Sequence, residues 1–151
     1  MTSPEWFVSA IDNSPEHYYV DVEGANIHYS LWGDSSKPGL FFVHGYSANS
    51  NWWDFIAPHF LNDFCVVAVD LSGNGNSDHR QNYSQELYAK ELKAVCEDRQ
   101  WNSTTFIAHS MGGSISLKAT SFFPEIFTQL ILSLIHISEP TRPRLISYAV
   151  F

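Results

Sequence analysis

Ala108-His109-Ser110-Met111-Gly112-Gly113 places a serine among small residues, at a point where a strand-like run gives way to a helical pattern. A serine in such a tight turn presents its hydroxyl at the rim of a sheet, on the positive end of the following helix. The residues two before and two after it must be small, because strand and helix backbones pass close together there. In this sequence they are Ala108 and Gly112. Such a serine can attack a substrate carbonyl, with the Met111 backbone N–H directed at the oxyanion that forms. The same short pattern also fits a serine that only caps a helix.

Two further turns follow apolar runs. Val43 leads into His44-Gly45-Tyr46-Ser47, where the glycine is read as freeing the backbone for a sharp bend. Val69 leads into Asp70-Leu71-Ser72-Gly73-Asn74-Gly75-Asn76-Ser77-Asp78. Reading Gly73-x-Gly75 as a dinucleotide loop fails, because position 78 is Asp and no helix opens there.

The elements that would position these turns can be read from hydrophobic patterning. His17–Val22 and Ala25–Trp32, split by Glu23-Gly24, predict an antiparallel hairpin. Gly39–Val43, Phe64–Val69 and Thr105–Ala108 carry continuous apolar runs, as strands buried on both faces do. Tyr83, Leu87, Leu92, Val95 and Cys96 recur at helical spacing, with Glu86, Lys90, Lys93 and Glu97 opposite, and Asn82 with Gln85 predicts the cap. Met111–Phe122 predicts a second helix stopped by Pro124, and Phe127–Ile131 a further strand. Strands alternating with helices imply an α/β fold whose mainly parallel sheet carries its reactive groups at the strands' carboxyl ends.

Together the three turns resemble the N-terminal half of the α/β-hydrolase superfamily, over roughly Tyr18 to Ile131. The elbow is close to the G-H-S-M-G-G form, His44-Gly45 with a downstream Trp resembles the oxyanion loop, and Asp70–Asp78 resembles D-x-x-G-x-G-x-S-D. The resemblance implies an α/β-hydrolase-type sheet with helices on both faces, truncated after about the sixth strand. It implies Ser110 as nucleophile, Tyr46 and Met111 as backbone oxyanion donors, and His44, Gly45 and Gly112 as loop-shaping residues. Trp52, Trp53 and Phe55 start the helix after the oxyanion loop and either line the acyl pocket or pack in the core. Serine at 110 departs from the branch that resembles epoxide hydrolases and haloalkane dehalogenases, which use aspartate. No cofactor and no metal is implied. The implied partner is a small ester-type substrate, with a non-catalytic ligand-binding protein on the same fold as the alternative.

A serine needs a histidine base and a carboxylate to orient it, in the order Ser, acid, His for this fold. After Ser110 stand only Glu125, Glu139 and His136. Glu125 matches a surface Pro-Glu, and His136 comes too early for the base. Leu132 to Arg142 is similar to the in-frame translation of a transposase-type sequencing adapter. Ile146–Phe151 resembles that adapter's distal constant block, and Pro143-Arg144-Leu145 fits a variable index between the two. The expected organisation is therefore a hydrolase segment over 1–131 and a non-native tail over 132–151.

Composition agrees with one globular unit. The chain has 151 residues, 44% hydrophobic and only 16% charged, below the ~25% typical of soluble domains, which excludes disorder and coiled coil. A net charge of -8 without a Lys/Arg cluster argues against nucleic-acid or anionic-membrane partners. Cys65 and Cys96 read as buried hydrophobes, and neither a leader nor a membrane span is visible, so a cytoplasmic location is expected.

Overall fold

The computed structural model describes residues 3–133. Of the expected tail 132–151, Leu132 and Ser133 are described, and residues 134–151, with His136 and Glu139, lie outside the described residues.

Six strands form one sheet: β1 (Glu16–Val22), β2 (Ala25–Trp32), β3 (Gly39–Val43), β4 (Cys65–Val69), β5 (Thr104–His109) and β6 (Phe127–Ser133). Their spatial order is β1-β2-β4-β3-β5-β6. β2 is antiparallel to both β1 and β4, while β4, β3, β5 and β6 run parallel. The hairpin forms as predicted: Glu23 and Gly24 both adopt positive φ (50° and 80°), the geometry a two-residue turn needs between twisted strands. β6 extends two residues beyond the predicted Ile131, because Leu132 and Ser133 continue the ladder opposite Ala108 and His109.

The continuous apolar runs are explained by burial on both faces. Phe41, Val43, Val67 and Val69 pack on one side against Ala89, Leu92 and Val95 of α2 (Gln85–Asp98) and Ile115 and Ala119 of α3 (Met111–Phe122), while Leu40, Phe42, Val66 and Ala68 pack on the other against Trp32, Trp53 and Ala57. Burying each large apolar side chain stabilises the fold by roughly 1.5–3 kcal/mol.

Two predictions need correction, and one element was not predicted. The α2 cap is Ser84, whose hydroxyl accepts the Leu87 N–H at 3.0 Å, and not Asn82, which stands two residues outside the helix start. Trp52 and Trp53 lie in a short 3-10 turn, Ser50–Trp53, capped by Asn49. A helix over Glu5–Ile11 was not foreseen: it is too short to show periodicity and is held by packing of Phe7 on Phe55, with ring centroids 5.8 Å apart. Among the described residues no helix is long and apolar enough to cross a membrane.

Candidate active site

The parallel register determines what meets at the carboxyl end of the sheet. Val43 pairs with Val69 on one side and Ala108 on the other, so His44, Asp70 and His109-Ser110 emerge side by side.

Ser110 occupies the N-cap position of α3 with φ 50° and ψ -117°, and its side chain caps nothing. For a non-glycine residue this backbone is strained, and its hydroxyl is left to point elsewhere. The capping alternative is thus not realised. The turn is anchored by the Ser110 N–H, which donates to the Ser133 carbonyl at 2.9 Å. Gly112 is required sterically: a Cβ there would lie 2.8 Å from Val43 Cγ1 and closer still to the His44 carbonyl. Ala108 is fully buried.

Gly45 is also a matter of space. Its φ is not positive, contrary to the bend read from sequence, but a Cβ would sit 2.9 Å from His109 Cδ2 and 3.1 Å from Ser110 Cβ. The backbone of the His44–Ser47 loop therefore lies directly against the serine. Among the described residues the Tyr46 N–H has no acceptor, and the Met111 N–H belongs to the first helical turn, where no intrahelical acceptor exists. Tyr46 is 80% exposed. Its side chain and that of Met111 line a cleft of about 300 Å³ beside the serine turn.

His44 is wholly buried with both ring nitrogens engaged. The Leu71 N–H donates to Nε2 at 3.1 Å, so the proton is on Nδ1, which donates to the Gly45 carbonyl at 2.7 Å. Burial holds its pKa below the usual histidine range, against the opposing pull of the Gly45 carbonyl and Asp70. A ring so committed has no lone pair to take a proton from Ser110.

The Asp70 turn, marked in the sequence by its motif, carries a hydrogen-bond network that the motif does not show. The Asp70 carboxylate accepts from the Ser50 N–H at 2.5 Å, the Asn76 N–H at 2.8 Å and His28 Nδ1 at 2.8 Å. A carboxylate only accepts, so His28 carries its proton on Nδ1, and His28 Nε2 lies 3.0 Å from His17 Nδ1. Burial pushes the Asp70 pKa up, but the bonds from His28, Asn76 and Ser50 outweigh it and hold the group below the ordinary carboxylate range. Gly75 (φ 53°) must be glycine, since a Cβ would overlap that carboxylate. The sequence signals for this turn were the acid after an apolar run and the Gly73-x-Gly75 pattern, and neither points to His28. Glu91, also buried, accepts from the Ser72 N–H at 3.0 Å and from Arg80 Nε at 3.1 Å, yet burial dominates and raises its pKa.

The aromatic trio divides. Trp53 stacks on Phe42 (4.6 Å) and Phe55 packs on Phe7, whereas Trp52, about half exposed, lies against His109 at 4.9 Å. Glu125 is exposed, 3.9 Å from Lys93. No cluster of three His, Cys, Asp or Glu suited to a metal occurs among the described residues.

The family model described as alpha/beta hydrolase fold matches residues 38–149. The chain is 32% identical over 114 residues to a mouse protein named serine hydrolase-like protein, covering 74% of this chain and 37% of that one. It is 30% identical over 121 residues to human epoxide hydrolase 4, covering 77% and 33%. Overall likeness therefore reaches proteins named for epoxide hydrolysis as well, and does not by itself separate the two branches. A solved thioesterase domain from the curacin biosynthetic pathway superimposes with a TM-score of 0.76 at 25% identity, over 85% of this chain and 50% of that domain. The chain spans well under half the length of these two curated relatives. With the match to the family model extending over most of its residues, on a mainly parallel six-stranded sheet, the chain belongs to the α/β-hydrolase fold family.

Proposed function

We propose that this chain carries the nucleophile portion of a serine hydrolase that cleaves a carboxylic ester or related acyl bond of a small molecule. The observation that carries the reading is Ser110 itself, held at positive φ in the N-cap position with its hydroxyl free of any capping bond. Such backbone strain costs about 1–3 kcal/mol, which glycine would avoid and which a mere cap would not need. In the reaction the Ser110 hydroxyl attacks the acyl carbon, and its proton passes to a general base. The carbonyl oxygen becomes an oxyanion facing the Tyr46 and Met111 N–H groups. The alcohol leaves with a proton, and water then releases the acid and restores the serine. A serine at 110, where the aspartate branch has a carboxylate, favours acyl transfer over epoxide opening.

The base is assigned outside the described residues. Among the described residues no histidine ring is hydrogen-bonded to the Ser110 hydroxyl, His44 has both nitrogens engaged, and His28 is bonded to Asp70. The tail reading belongs to the same proposal: residues 132–151 derive from adapter sequence, and the triad acid and histidine lie in the longer gene. Because the family match runs to residue 149, the coding DNA is the arbiter. Adapter bases in those codons support the reading, and genomic sequence continuing through them overturns it.

In the full-length gene product, Ser110→Ala should lower hydrolysis of a small aryl ester by at least about a thousandfold. Unchanged turnover would remove Ser110 as nucleophile. A full-length protein that binds esters but never cleaves them would favour the ligand-binding alternative. Residues 1–151 alone should be inactive, and Ser110-dependent turnover by them would place the base within this chain.

A further inference from the structure

The cleft beside the serine turn has walls that belong to no part of the chemistry proposed above. Besides Tyr46 and Met111 it is lined by Ser72, Asn74, Tyr83 and Tyr88. At about 300 Å³ it sits at the low end of small-molecule pockets, which run from ~300 to 1,000 Å³, so it suits one part of a substrate.

Part of its wall is aromatic. Tyr83 and Tyr88 stack at 5.9 Å with an interplanar angle of 22°. The Tyr83 hydroxyl accepts the Arg80 N–H at 3.0 Å and closes over Gly73, where a Cβ would lie 2.7 Å from it. Tyrosine faces and a methionine thioether favour a flat ring over a saturated chain. No carboxylate, ammonium or guanidinium lines the cleft among the described residues, so a charged ligand would be left unpaired there.

One polar group remains available. The Ser72 hydroxyl is wholly buried beside the Glu91 carboxylate and is not open to the cleft. The Asn74 side-chain N–H groups donate to the Leu71 and Ser72 carbonyls, both at 3.3 Å, which leaves the amide oxygen as an open acceptor. A ligand hydroxyl that donates to this oxygen gains one hydrogen bond.

We propose that this cleft is a subsite for an uncharged, hydroxylated aromatic ring, the phenolic part of an ester substrate whose reacting carbonyl lies at Ser110. The assignment of that ring to an ester rests on the serine-hydrolase reading, while the ring's binding does not.

The chain has two methionines, so Met111 gives a readily assigned methyl signal after ¹³C labelling, with Met111→Leu as the control. In titrations of the 151-residue chain, 4-methylphenol should shift that signal saturably. It should bind about tenfold more tightly than toluene or 4-methylcyclohexanol, the value of one good hydrogen bond or of lost ring stacking. 4-Methylbenzoate should bind least. Asn74→Ala should cancel the advantage over toluene and leave toluene binding unchanged. Equal binding of 4-methylcyclohexanol, an unmoved Met111 signal, or an Asn74→Ala protein that keeps its full preference for the phenol would each overturn the proposal. If 4-methylphenol binds as stated but Ser110→Ala leaves full-length turnover intact, the subsite stands and the nucleophile assignment fails. The reverse pair of results separates them the other way.

Discussion

Two helices on the same face of the sheet begin with a serine at the N-cap, and the two serines do opposite things. Ser84 before α2 is extended (φ -143°, ψ 158°) and its hydroxyl accepts the Leu87 N–H. Ser110 before α3 is at φ 50° and caps nothing. The difference comes from what each chain segment must do next. Ser84 follows a loop and is free to take the relaxed capping geometry. Ser110 must turn β5 into α3 within one residue while the helix start closes against Val43 and His44. Local chemistry is the same in both places, and the tertiary constraint decides between a stabilising cap and an uncapped hydroxyl on a strained backbone.

The second helical position gives the sharpest way to break this contrast. Gly112→Val should destabilise the chain by about 3 kcal/mol, read from the urea midpoint, because the new side chain has no space beside β3. At the corresponding position of α2, Glu86→Val should stay within about 0.5 kcal/mol, since that side chain faces water. Equal costs would mean the two helix starts are packed alike.

Next comes Asp70, at the same sheet end as Ser110 but fully satisfied. Asp70→Asn should cost about 2 kcal/mol at pH 7, as an amide cannot accept from His28, Ser50 and Asn76 together. The pH dependence follows from its depressed pKa. The carboxylate's contribution is complete above the unfolded-state value of about 4 and is lost as pH falls through the lower folded value. The gap between wild type and Asp70→Asn in thermal or urea melts should therefore narrow in acid. Glu91, whose pKa is raised, acts with the opposite sign: its contribution improves as pH falls through its folded value, which is why the difference between the two proteins is the readout. A gap that is constant down to pH 2 would show that Asp70 is not held in its charged form.

The smallest effects test the two serines directly. Ser84→Ala should lower stability by about 1 kcal/mol, and Ser110→Gly should raise it by about the same amount. Two losses would indicate that Ser110 also stabilises its helix.

The parts of the fold that were legible in the sequence were those set by near neighbours. The runs through Phe41-Phe42 and Val66-Val67 announced strands buried on both faces, and Glu23-Gly24 announced the hairpin. The α2 cap was misplaced because Asn82 and Ser84 are both good capping residues two positions apart. His28 was invisible for another reason. In an antiparallel strand it reads as one more polar residue, and only the β2–β4 pairing sets it beside an acid 42 residues away. Likewise Gly45 reads as a bend, whereas the structure needs it for the close approach of His109 and Ser110.

The sequence by itself determined the serine turn's small-residue frame, the apolar strands, and the acidic turn at Asp70, since each depends on residue types within a few positions. The tertiary structure alone decided which polar groups are paired and which are left open. His44 and Asp70 find their partners across the order β2-β4-β3, while the Ser110 hydroxyl caps no helix N–H. Hydrogen bonds are made between groups brought together from distant parts of the chain, and which groups meet is settled by strand order, which no short stretch of sequence contains.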